Sequence, residues 1–168
     1  MTAKAITMLI VTIGVTNTAN AQVLDAIRGH AQDLKARFSD HKKIDGEVLK
    51  KGEIDTKAKG QDMLHSSSGT WSLIRANNQL YLQSGENFRS SPGPDYHVYI
   101  SNGPAIKDNP EFDVKQIEVA RLTKPNGAAY YPLKTQNIED VRSVLIWCKQ
   151  FKEYIGSADL HWVLSSRE

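Results

Sequence analysis

Among the residues able to do chemistry, Cys148 is set apart by number, being the one cysteine in a chain of 168 residues. An intramolecular disulfide is therefore excluded. Three roles stay open for it: a small buried hydrophobe, a redox thiol or ligand acting as thiolate, or half of a bridge to another chain. Lys149 would favour a thiolate, but neighbours on a strand face opposite ways, which directs its charge elsewhere. Five histidines are present, His30, His41, His65, His97 and His161, with no pair at i,i+4 and no HExxH or CxxC. The absence of CxxCH excludes covalent c-type haem. A haem iron or copper site would need folding to bring a histidine to Cys148. His97 is the candidate, although its place opposite the Val98 and Ile100 face reads as surface. His65, followed by Ser66, Ser67 and Ser68, reads as loop.

The carboxylates suggest less. Asp108, Asn109, Glu111 and Asp113 make an oxygen-rich loop without the glycine and spacing of an EF-hand. Glu139 and Asp140 read as helix-start residues, and Asp95 as a loop residue bonding its own backbone. No GxSxG is present. Trp71, Trp147 and Trp162 read as core or rim aromatics rather than a sugar-stacking platform.

The elements that must position these residues are short strands between turns. Trp71 and Leu73 alternate with polar neighbours, Asn77-Asn78 turns the chain, and Leu80 and Leu82 return as a hairpin partner. Pro92-Gly93-Pro94 fixes a loop, after which Tyr96, Val98 and Ile100 form one strand face. Ile117 and Val119 begin another strand, with Pro125-Asn126-Gly127 turning it toward a partner over residues 128–133. Asn137 caps a single helical turn. Residues 143–148 (SVLIWC) are apolar on both faces, as in a central strand covered on both sides. Residues 154–162 supply the last strand. The pattern predicts a mainly β protein, an antiparallel β-sandwich or barrel-like domain preceded by a short N-terminal helix.

Residues 1–21 read as a signal peptide: Lys4, an uncharged run over residues 5–15, and Ala19-Asn20-Ala21 as cleavage site. The run is too short for the ~20 residues of a membrane span. The expectation is a periplasmic or secreted protein with no transmembrane segment after cleavage. Residues 22–43 form a helical arm, with Val23, Ile27, Leu34 and Phe38 on one stripe, and residues 44–168 form the β domain. Losing Lys4 takes the formal net charge from +2 to +1. Lys42, Lys43, Lys50 and Lys51, the densest basic stretch, read as a solvated face too dilute for nucleic acid.

Three stretches together carry a family resemblance. Residues 91–101 (SPGPDYHVYIS), 143–151 (SVLIWCKQF) and 155–160 (IGSADL) resemble, in this order, the motifs of the DM-thirteen domain of Skeletor-like animal proteins and bacterial exported proteins. The resemblance covers about residues 44–162, with Ile155 standing where the family has an aromatic. It implies a sandwich-like domain with electron-transfer or other redox function, in which Cys148 is a free thiol or holds a metal or haem group. A redox or protein partner is implied without being identified. The alternative is a non-catalytic binding or adhesion module with Cys148 as a buried core residue. Neither reading makes the chain a conventional enzyme.

Overall fold

The computed structural model describes residues 43–113 and 115–163. The expected signal peptide, and the helical arm except Lys43, lie outside these residues. Alternation of apolar and polar side chains along short strands decides which faces meet. The strands are β1 Glu47–Glu53, β2 Ser67–Ser68, β3 Thr70–Ala76, β4 Gln79–Ser84, β5 Arg89–Ser90, β6 Tyr96–Ser101, β7 Ile117–Arg121, β8 Ala129–Pro132, β9 Ser143–Cys148, β10 Glu153–Asp159 and β11 His161–Trp162. One sheet runs β11-β1-β3-β4-β8, a second β10-β9-β6-β7, and β2 pairs with β5. All these pairings are antiparallel. The mainly β, sandwich-like arrangement is the expected one.

The larger sheets share a core. Trp71, Leu73, Leu80, Leu82 and Tyr131 from one sheet join Val98, Ile100, Val144, Ile146 and Cys148 from the other. Tyr131 stacks on Trp71 with centroids 5.9 Å apart, and Phe88 meets the indole edge-on at 5.2 Å. The β3–β4 turn places Asn77 and Asn78 at φ 49° and 62°, the paired left-handed conformations that match hairpin twist. Asn137 caps its single turn as expected, accepting from the Glu139 amide at 3.2 Å.

Two expectations need correction. The segment 128–133 does not return beside the Ile117 strand: β7 pairs with β6, whereas β8 pairs with β4. Residues 122–127 instead cross between the sheets, tied by Leu122 N–H to the Tyr96 carbonyl and by Gly127 N–H to that of Phe88. This crossing delivers Ala129 and Tyr131 to the core. The predicted last strand is likewise divided. β10 pairs with β9, then Leu160 turns inward and β11 pairs with β1.

β9 holds the centre, with β6 and β10 on its two sides and all six of its residues buried. Val144, Ile146 and Cys148 face the inter-sheet core. Leu145 and Trp147 face the other way, into a smaller cluster with Tyr99, Tyr154 and Ala58. That cluster is roofed by Ile106 and Phe112. Phe112 stacks on Trp147 at 4.3 Å and meets Tyr99 edge-on at 5.5 Å. The oxygen-rich segment follows a structural logic: Asp108 pairs with Lys59 at 2.8 Å, while Asn109 accepts from the Tyr154 amide and donates to Glu153.

Ile146, fully buried at the crossing of β9 with β6 and β10, gives a direct test. Ile146→Ala is expected to cost about 2–5 kcal/mol, read as a lower urea midpoint with an unchanged slope. A loss under about 1 kcal/mol would place the centre of the core elsewhere.

Candidate functional site

Cys148 ends β9, opposite Tyr96 on β6 and Glu153 on β10. It is 1% exposed and belongs to the inter-sheet core. Beyond it, the Tyr96 ring lies so close to Gly93 that a Cβ there would meet ring carbon at 2.0 Å. The Tyr96 hydroxyl donates to the Pro92 carbonyl at 3.2 Å and meets Ser91 Oγ at 3.2 Å. The Pro92-Gly93-Pro94 loop is thus clamped on the same ring that lies opposite Cys148. Burial first, with the neighbouring Cys148 as a smaller contribution, pushes the Tyr96 hydroxyl above its ordinary pKa.

Folding does not bring His97 to Cys148. His97 is opposite Trp147, one residue out of step with the Tyr96–Cys148 pair, and successive strand residues face opposite sides. Its ring bridges two carboxylates instead, with Nδ1 2.7 Å from Glu118 and Nε2 3.0 Å from Asp95. Asp95, expected to bond its own loop backbone, meets His97 because the strand starting at Tyr96 carries the imidazole back over it. Glu118 also accepts from Lys149 Nζ at 3.0 Å. Burial works to raise the Glu118 carboxyl, but the Lys149 hydrogen bond and the nearby His97 outweigh it and hold the group below its usual range. Lys149 is thereby committed to the outer face, away from the thiol.

Among the described residues no three His, Cys, Asp or Glu side chains are placed to hold a metal ion. The side chains packed with Cys148 are those of a closed core, and among the described residues Cys148 belongs to no His, Cys, Asp or Glu group able to hold a metal ion. They do not fit a haem or copper site. His65 is engaged within its turn, 3.1 Å from Asp62.

Two polar features escaped the sequence reading. Lys50, assigned to a solvated basic face, is only 4% exposed. A register shift between Val48 and Lys50 puts Lys50 opposite the core residue Leu73, turning its side chain inward. Its ammonium donates to the Ile138 and Val141 carbonyls, each at 3.0 Å, and sits 4.6 Å from the Trp162 ring centroid. The bulge that causes this has no signature in residue type. The second feature is a serine-lined depression where β2 meets β5; its residues were legible only as loop.

The family model described as electron transfer DM13 matches residues 59–160. No curated protein and no solved structure matches the chain. The match takes in β2 to β10 and leaves β1 and β11 outside.

The buried phenols generate a pH prediction. Burial first, then the Glu118 charge, pushes Tyr99 up from 10.0 to about 12; burial likewise takes Tyr154 to about 12. Between these values the native chain keeps protons that the unfolded chain releases, so this stability is complete below pH ~10 and lost as pH rises toward ~12. The urea midpoint is expected to fall across that window, less steeply in Tyr99→Phe. A midpoint flat from pH 10 to 12 would contradict the assignment.

Proposed function

The chain belongs to the electron transfer DM13 family, and from that premise we propose that it works as a non-catalytic binding module whose one cysteine is a core residue. The observation that carries this reading is the 1% exposure of Cys148 within a strand buried on both faces. A thiol that exchanges electrons or disulfides must be reached by its partner, and reactive cysteines occupy partly exposed, electropositive surroundings. Here the nearby cation, Lys149, is paired with Glu118. The motif residues shared with the family have packing roles that favour the same reading. Gly93 seats the Tyr96 ring, and Gly156 admits Ser67, whose hydroxyl donates to the Ile155 carbonyl at 3.1 Å.

We further propose that the module acts in the periplasm or outside the cell. Residues 1–21 support this through their charge, apolar run and Ala-x-Ala ending. Among the described residues no helix is long and apolar enough to cross a membrane.

A second reading, thiol-based electron transfer at Cys148, is favoured by the family's description. One experiment separates the two: titration of the purified native protein with a colorimetric thiol reagent, with an absorbance scan and metal analysis on the same sample. The binding-module reading expects no thiol to react until denaturant is added, and a Cys148→Ala variant that folds with an unchanged spectrum. A thiol reacting in the native protein, or bound iron or copper lost in Cys148→Ser, would transfer the conclusion to electron transfer.

A further inference from the structure

The pairing of β2 with β5 sets Ser67 opposite Ser90 and Ser68 opposite Arg89. It is extended by the Ser91 amide donating to the Ser66 carbonyl at 2.8 Å and the Ser66 amide to Ser91 Oγ at 3.2 Å. These strands border an open depression of about 420 Å³, whose lining includes Thr56, Gln61, Ser66, Ser68, Arg89 and Ser91. Arg89 is its one charged residue; the others carry a hydroxyl or an amide.

Much of this lining is held in place from behind. Gln61 Nε2 donates to the Ser67 carbonyl at 3.0 Å, which leaves its Oε1 as an acceptor. A Cβ on Gly156 would lie 2.0 Å from Ser67 Oγ and 3.0 Å from Gln61 Nε2, so the bare backbone of β10 is what lets that wall sit where it does. Arg89 Nη1 donates to the Glu86 carbonyl at 2.9 Å and the Phe88 carbonyl at 2.6 Å. The guanidinium is thus oriented from one corner, while its Nε and Nη2 edge has no protein acceptor among the described residues. That edge is the one that grips a carboxylate with two parallel bonds. No carboxylate pairs with Arg89 among the described residues; Asp62, in the turn between Gln61 and Ser66, is occupied by the Leu64 and His65 amides, each at 2.7 Å.

We propose that this depression binds an acidic sugar unit, a polyhydroxylated ring bearing one carboxylate; the proposal rests on the binding-module reading and gives that module its ligand class. Serine and threonine hydroxyls both donate and accept, as sugar hydroxyls do, and the amide oxygen of Gln61 adds an acceptor. A bare oxyanion offers acceptors only and leaves Gln61 Oε1 and half the capacity of the hydroxyls unused. The volume lies within the range of small-molecule sites, and one guanidinium matches one carboxylate.

The test is a calorimetric and NMR titration of the full-length mature protein with glucuronate, beside glucose and acetate. Glucuronate is expected to bind, shifting amides of Ser66, Ser68 and Arg89, with glucose and acetate each at least about tenfold weaker. Arg89→Gln should weaken glucuronate about tenfold or more, the scale of a charge-assisted pair. Thr56→Val, at an exposed position, should weaken it severalfold with folding unaffected, which keeps the proposal testable if Arg89→Gln does not fold. Acetate binding as tightly as glucuronate would make this a simple anion site, and glucose binding as tightly would remove Arg89 as carboxylate partner. Either result, or no binding of glucuronate, overturns the proposal. Thiol reactivity measured on the same sample separates the failures. A reactive native Cys148 sinks the binding-module reading, whereas an inert thiol without glucuronate binding sinks this site alone.

Discussion

The structure depends on the burial of one strand from both faces. β9 carries six residues with no exposed side chain, so it needs cover on each side as well as partners along each edge. The inner cover is the second sheet. The outer cover is irregular chain carrying Ile106 and Phe112, held down by the stacking of Phe112 on Trp147 and by the side chain of Asn109 at the start of β10. Irregular chain can roof a strand only when its backbone polar groups are satisfied. The acidic residues of this segment answer that need: Asp108 caps the Asn109 turn and Glu111 accepts from the Lys107 amide at 3.0 Å. Cys148 inherits its burial from this arrangement.

Bulges do further positioning. The shift in β1 turns Lys50 inward, where an ammonium would be costly without partners; two carbonyls and the Trp162 ring supply them. Lys50 thereby ties β1 and β11 to the turn preceding β9. The shift in β10, between Tyr154 and Gly156, sends Tyr154 to the outer cluster and Ile155 to the inner core. Ile155 and Ala158, three residues apart, then both reach the inner core, and Gly156 leaves room for Ser67. The same bulge completes the roof over Trp147 and shapes the wall of the serine-lined depression.

Much of this was legible in residue types. Alternation marked most strands, Asn77-Asn78 marked the first hairpin, and SVLIWC marked a central strand, because burial on both faces leaves no polar position. Beyond that hairpin, strand partnership was not legible. A Pro-Asn-Gly turn looks the same whether it closes a hairpin or carries the chain to the opposite sheet, and only the vacant edge of β4 decides between them. The inward turn of Lys50 and the division at Leu160 arise from one-residue register changes, invisible to a period-two reading. Strand parity placed His97 opposite the Val98 and Ile100 face but left it a possible partner of Cys148; its distance from the thiol, and the position of Asp95 and Glu118 around that imidazole, required the fold. The depression was hidden because its serines carry no spacing rule and its one cation lies more than twenty residues from Ser66.

The central claim is that Cys148 is sealed in the core, and the most direct test is the rate of its alkylation in the native protein across sub-denaturing urea. If the account is right, the free energy of opening that exposes the sulfur equals the global unfolding free energy, with the same urea slope. An opening energy well below the global value, insensitive to urea, would reveal a local route to the thiol and contradict the account.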